Sequence, residues 1–159
     1  MMTLEELLAR EAIRKTMSTY TFAGDHLRIN EFLSVFTEDA ILETDGVPDA
    51  DAFRCQGRSE IAVWINRWKK PPGGERKAHG ATFVRHHLST SQIELQKSDS
   101  AVARTYWVAW TDIGADHCGY YIDTFRNEAD HWLISHRKIR LDWRSTDSLY
   151  MSAIAQTRG

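Results

Sequence analysis

The chain has 159 residues, 42% hydrophobic and 26% charged, with a formal net charge of −2. That is the size of one domain with a core that needs no staples, and no Lys/Arg run offers a footing for nucleic acid or an anionic membrane surface. Cys55 and Cys118 are too few for a disulfide framework or a cysteine-based zinc site, and two reduced thiols fit a cytoplasmic protein.

The N-terminus MMTLEELLAREAIRK is acidic and amphipathic, without a signal-peptide apolar segment, and no apolar run approaches the length of a membrane span. Thr3 and Glu6 form a capping-box pattern that starts a helix. Ala9, Ile13, Thr16, Met17 and Tyr20 fall on one stripe of it, and Gly24 is expected to end it. Ile29, Phe32, Leu33 and Phe36 have the spacing of a second helix. Residues 40–44, AILET, suit a short strand, and residues 45–57 a polar loop. Ser59 is placed to cap a third helix with the stripe Ile61, Trp64, Ile65 and Trp68. KKPPGGERKAHG is a polar loop rich in Pro and Gly.

Strands follow: ATFVRHHLSTSQIELQK, SAVARTYWVAWTDI, CGYYIDTFR and HWLISHRKIRLDW. Breaks near KSDS, IGADH and NEADH predict an antiparallel meander. In the first run the apolar parity changes from Val84 and Leu88 to Ile93 and Leu95, which predicts a β-bulge within residues 89–92. The expected fold is α+β: three N-terminal helices packed on one curved antiparallel sheet.

Three polar residues fall where an apolar core is expected. His86 lies between Val84 and Leu88 in a strand read over residues 83–90, which turns it inward and His87 outward. Arg137 shares a parity with Leu133, Ile139 and Leu141, and Asp25 follows Gly24 at the end of the first helix. A carboxylate bonded to an imidazole fixes its tautomer and raises its basicity, and an arginine nearby stabilises an enolate or a departing anion. Tyr20 could add a donor, and Trp64, Trp107, Trp110 and Tyr121 could wall an apolar pocket. Each residue also has a purely structural reading: His86 as a satisfied core histidine, Arg137 as the buried partner of Asp123 or Asp142, Asp25 as a helix cap, the aromatics as core or interface. His117, His131 and His136 have no carboxylate or thiol at metal-ligand spacing, so no metal is expected. Tyr106, Val108, Trp110, Tyr120 and Ile122 share the opposite sheet face, an apolar surface that suggests a homo-oligomer, dimer or trimer.

The segments YTFAGDHLRINEFLSVFTEDA, CQGRSEIAVWI, VRHHLSTSQIEL, GYYIDTF and HWLISHRKIRLDW resemble the SnoaL-like branch of the nuclear transport factor 2-like superfamily, over residues 3 to about 145. The resemblance implies one domain over residues 1–159, with a core at 3–145, a tail at 146–159 and a cystatin-like α+β barrel fold. The pattern is most similar to the group holding scytalone dehydratase, bile acid 7α-dehydratase and hexachlorocyclohexane dehydrochlorinase. By that resemblance Asp25 and His86 match a catalytic Asp–His pair, and Arg137 matches an arginine that receives the leaving anion. Tyr20 stands where the dehydrochlorinase has lysine and where the dehydratases use a tyrosine to assist the leaving group, which turns the expectation toward dehydration, and Thr90 departs from an Asn common in the family's strand motif. The implied function is a cofactor-independent lyase or isomerase acting on a small cyclic, largely apolar substrate. Two alternatives remain: a non-catalytic binder of a hydrophobic metabolite, and the small subunit of a ring-hydroxylating oxygenase.

Overall fold

The computed structural model describes residues 2–47, 52–69 and 81–150. Helix α1 spans Leu4–Asp25 and begins with the expected capping box: Thr3 Oγ1 accepts from Glu6 N, and Glu6 Oε2 accepts from Thr3 N. Its buried stripe is Ile13, Met17, Tyr20 and Ala23. Gly24 does not stop it. The helix runs through Asp25, and the residue with positive φ is Leu27 (53°). Gly24 instead permits close packing, since a Cβ there would sit 3.3 Å from the Phe32 ring.

Helix α2 is a short Ile29–Ser34, and Phe36 opens strand β1 (Phe36–Asp45) rather than extending the helix. The predicted strand at 40–44 was therefore the latter part of a longer one. Tyr20, Phe32 and Phe36 pack as an aromatic cluster, with centroids 4.8, 5.8 and 5.4 Å apart. Such pairs contribute about 0.5–1.5 kcal/mol each beyond burial, and they fix the last turn of α1, where Asp25 sits.

The predicted loop at 45–57 contains strand β2 (Arg54–Gln56), which pairs antiparallel with β1. Helix α3 spans Gly57–Asn66. It starts two residues before the predicted cap Ser59, because Gly57 takes φ 82° at the strand-to-helix turn. Ile61, Trp64 and Ile65 are its buried face, as the spacing predicts. Most of the KKPPGGERKAHG segment, residues 70–80, lies outside the described residues.

The four predicted strands form β3 (Arg85–Lys97), β4 (Ser100–Thr111), β5 (Gly114–Glu128) and β6 (His131–Arg144), each antiparallel to the next. Strand β1 adds in parallel beside β6, giving the order β2-β1-β6-β5-β4-β3. The sheet is mostly antiparallel, and its edges β2 and β3 do not meet, so the α+β barrel is an open one. The predicted bulge in β3 is present as a register shift between Leu88 and Ser91. Phe83, read as part of that strand, precedes it and is exposed.

Further register shifts break the alternation expected from sequence, and two of them bear on the site. One falls between Thr124 and Phe125 opposite Ser135, so Trp132 and Ile134, not Leu133, share the buried face with Arg137. The other lies between Ala109 and Trp110 and leaves Asp116 without a cross-strand partner, so both Asp116 and His117 are buried.

Candidate functional site

The end of α1 and the start of β3 meet at Asp25 and His86. Asp25 Oδ1 accepts from His86 Nδ1 at 2.6 Å, and Oδ2 accepts from the His86 backbone N–H at 2.9 Å. Residue 86 is therefore held at both backbone and ring. A carboxylate only accepts, so Nδ1 carries a proton, and in the neutral ring Nε2 keeps the lone pair. The Asp25 side chain is 5% exposed and that of His86 23%. His87 makes no such bond and turns out to pack beside Trp110. Both histidines, with Asp25, Phe22, His26 and Arg85, border a surface hollow of about 280 Å³, so the dyad touches solvent on one side and the interior on the other.

Inside, Arg137 is fully buried. Its Nε and Nη2 donate to Asp123 at 2.7 Å each, from directly across the β5–β6 pair. Its guanidinium lies between the rings of Tyr20 and Tyr121, 4.0 and 4.1 Å from their centroids. Of the two carboxylates suggested by sequence, Asp123 is the partner, while Asp142 pairs with Arg140. The Arg137 Nη1 atom has no hydrogen-bond partner among the described residues. Burial pushes the Arg137 pKa down, but the Asp123 charge and hydrogen bonds outweigh it, and the group stays cationic. Burial holds the phenols of Tyr20 and Tyr121 above their ordinary value, so both stay protonated donors.

Of the four aromatics named as pocket walls, three face inward. Trp107 stacks on Tyr121 (5.7 Å) and meets His86 edge-on, and Trp64 stacks on Phe53 (4.8 Å). Trp110 does not join them. It lies on the outer sheet face, 42% exposed.

Sequence reasoning missed a second Asp–His pair. His117 Nδ1 donates to Asp116 Oδ1 at 2.7 Å, and both side chains are buried. The predicted break at IGADH had put these residues in a turn, and the bulge that turns both inward has no alternation signal. The adjacent Asp–His following a glycine was the one available cue. Asp116 also accepts from Thr111 Oγ1, Ser148 Oγ and the Leu149 N–H, while its carbonyl accepts from Ser145 N. The chain after β6 is thereby tied down, and Tyr150 stacks on His117 at 4.5 Å. Burial raises the Asp116 carboxyl pKa, but these donors outweigh it and hold it below its ordinary value. Burial pushes His117 down to about 4 against the pull of Asp116, so its ring is neutral at pH 7.

The profile of the SnoaL-like domain matches residues 5–138. The chain belongs to the SnoaL-like domain family. No curated protein sequence matches it. Solved structures similar to this SnoaL-like domain share its fold. A scytalone dehydratase-like protein from Novosphingobium aromaticivorans is 21% identical, with 91% of each chain covered and a TM-score of 0.71. Hexachlorocyclohexane dehydrochlorinase LinA-type3 from Novosphingobium barchaimii is 15% identical, with 89% of this chain and 92% of that chain covered and a TM-score of 0.70. A protein of cystatin-like fold from Nostoc punctiforme is 16% identical, with 84% and 90% covered and a TM-score of 0.67. At these identities the likeness is one of fold. Among the described residues no helix is long and apolar enough to cross a membrane, and no group of three His, Cys, Asp or Glu side chains could hold a metal ion.

Proposed function

We propose that this SnoaL-like domain is a cofactor-independent lyase or isomerase, dehydratase-like in its chemistry, acting on a small cyclic and largely apolar substrate. The observation that carries the reading is the two-point bond between Asp25 and His86. The bond fixes the ring tautomer that a base needs, in a side chain that borders the hollow.

His86 Nε2 takes a proton from a ring carbon, and Asp25 stabilises the imidazolium that forms. The C–H electron pair becomes the new double bond, or an enolate when a carbonyl is adjacent. Charge developing on that oxygen is stabilised by the buried Arg137 cation and by the protonated Tyr20 hydroxyl. In a dehydration the imidazolium returns its proton to the departing hydroxyl, which leaves as water, and His86 is neutral again. Isomerisation differs only in where the proton returns, to another carbon of the same framework. Trp64, Trp107 and Tyr121 supply apolar ring surface beside these groups. The same fold serves as an oxygenase subunit and as a ligand binder, but neither role requires an oriented base.

The experiment is a thermal-shift screen against cyclic ketones, phenols and terpenoids, because ligand binding to the folded state raises the melting temperature. Compounds that stabilise the protein are then followed by NMR for loss of water or migration of a double bond. Stabilisation with turnover supports the lyase reading, and stabilisation without turnover by any stabilising compound favours the binder.

A further inference from the structure

Past β6 the chain leaves the sheet, and residues 145–150 form a short strap that joins no strand. Three of its hydrogen bonds end on one residue of β5, Asp116. Ser145 N donates to the Asp116 carbonyl at 2.8 Å, Ser148 Oγ to Oδ1, and Leu149 N to Oδ2 at 2.9 Å. Three more are internal to the strap. Asp147 N and Ser148 N donate to the hydroxyl and the carbonyl of Ser145, and Tyr150 N donates to Ser148 Oγ. A segment that keeps its own turn and is fastened to the sheet at one residue can move as a unit.

The strap ends on an aromatic ring. Tyr150 stacks on His117 of β5, with centroids 4.5 Å apart, and on Trp68, two residues past α3, at 5.1 Å. It therefore bridges the sheet layer and the helix layer. The His117 ring in turn meets Trp107 and His86 at 5.5 and 6.2 Å. Burial raises the Tyr150 phenol above its ordinary value, and the phenol of Tyr20 adds to the rise, so the ring faces the same interior as Tyr20. In that interior the Trp107 indole Nε1 is buried and has no acceptor among the described residues.

We propose that residues 145–150 are a gate to the interior beside His86, shut in this structure and opened when the strap lifts off Asp116 as one piece. Lifting it breaks three hydrogen bonds and two ring contacts and leaves the β5–β6 ladder whole. A short segment outside the sheet ladder, with Thr146 and Asp147 exposed, belongs to the low-stability end of local openings. The latch itself does not move. Asp116 is fully buried, and its carboxylate also accepts from Thr111 Oγ1 and His117 Nδ1, both on the sheet. Opening carries Tyr150 away from His117 and uncovers the ring next to the dyad histidine. The gate goes beyond the lyase reading and does not depend on it, since a bound metabolite would pass the same way.

Native-state hydrogen exchange, followed by NMR on the full chain, tests this without a substrate. Two protons report on the opening: the Leu149 amide, bonded to Asp116, and the Trp107 indole N–H in the interior. In the wild type both should show the same protection, well below that of the slowest β5 amides. Both rates should be unmoved by low urea, because the opening exposes little surface. Ser148→Ala removes a latch bond to a carboxylate and should speed both protons by the same factor, about 10- to 100-fold. Ser148→Thr keeps the hydroxyl and should return both close to the wild-type rates. If Ser148→Ala does not fold, the wild-type rates and their urea dependence decide the matter. An indole that exchanges only with the slowest β5 amides would overturn the gate, because the interior then opens only on global unfolding. An indole that exchanges quickly but ignores Ser148→Ala would overturn it too, by placing the entrance elsewhere. So would a Leu149 amide as protected as the β5 core.

Discussion

Asp123 and Arg137 face each other across β5 and β6 and share two hydrogen bonds of 2.7 Å, with neither side chain exposed to solvent. The arrangement is rigid: the guanidinium is also held between the Tyr20 and Tyr121 rings. It therefore places a positive charge in the core between the Tyr20 and Tyr121 rings. The same pair ties the two central strands together at the level of the site.

Removing one partner leaves the other as an uncompensated buried charge. Asp123→Asn should cost about 3–5 kcal/mol. For a chain of this length that is a fall in melting temperature of roughly 6–20 °C. The double change Asp123→Leu with Arg137→Met should recover much of it, since no charge is then left buried. Thermal unfolding of the three proteins measures this. A single mutant that melts with the wild type would mean that the pair contributes nothing to the fold.

His117 predicts a specific acid sensitivity. Its pKa falls from 6.5 to about 4 on folding, so between those values the unfolded chain binds the extra proton. Stability is fully present above pH 6.5 and is lost as the pH falls toward 4, by about 3 kcal/mol in all. The groups around it are Asp116, His86, Tyr150 and Arg144. Asp116 has a lowered carboxyl pKa, so its contribution is lost only below the ordinary carboxylate value of 3.8, under the histidine window. Denaturant titrations of wild type and His117→Gln at pH 7 and 4.5 separate the two. The variant should lose much less stability on acidification; an equal loss would place the acid sensitivity elsewhere.

The outer sheet face carries Tyr106 (52% exposed) and Trp110 (42% exposed), flanked by Tyr120 with Arg104 and Arg140 against its ring. Helices cover the other face, so this apolar surface suits a second copy of the chain, and a homo-dimer or trimer is predicted. Sedimentation at micromolar concentration should give a mass above one chain, and Tyr106→Glu with Trp110→Glu should shift it to the monomer. A monomeric wild type contradicts the prediction.

Much of this was legible in the sequence, for identifiable reasons. The capping box of α1, the stripe of α3 and the four long strands are local patterns, and each is present. The parity change in β3 revealed its bulge because apolar residues stood on both sides of it. The bulge at Asp116 was not visible, because polar residues occupy the positions where parity would show, and the one at Ser135 was masked because the run Trp132, Leu133 and Ile134 is apolar on both parities. The first hid the Asp116–His117 pair. The second moved Leu133 off the face of Arg137. Strand β2 is three residues long, too short for any periodicity, and its partner β1 was truncated because Phe36 also fits a helical spacing. Gly24 was read as a helix stop, whereas its lack of a side chain serves packing against Phe32.

The central claim is that Asp25 orients His86 as a base, and a double-mutant cycle tests it most directly. Turnover of a compound identified by the screen, and melting temperature, are measured side by side for His86→Gln, Asp25→Asn and the double mutant. An oriented base predicts that each single change lowers turnover by about 10² to 10⁴ with the fold kept. It also predicts a double mutant scarcely worse than either, because residues acting as a unit are not additive. Melting temperatures that fall by several degrees while turnover per folded molecule is retained would contradict the account. The Asp25–His86 bond would then be a structural tie between α1 and β3.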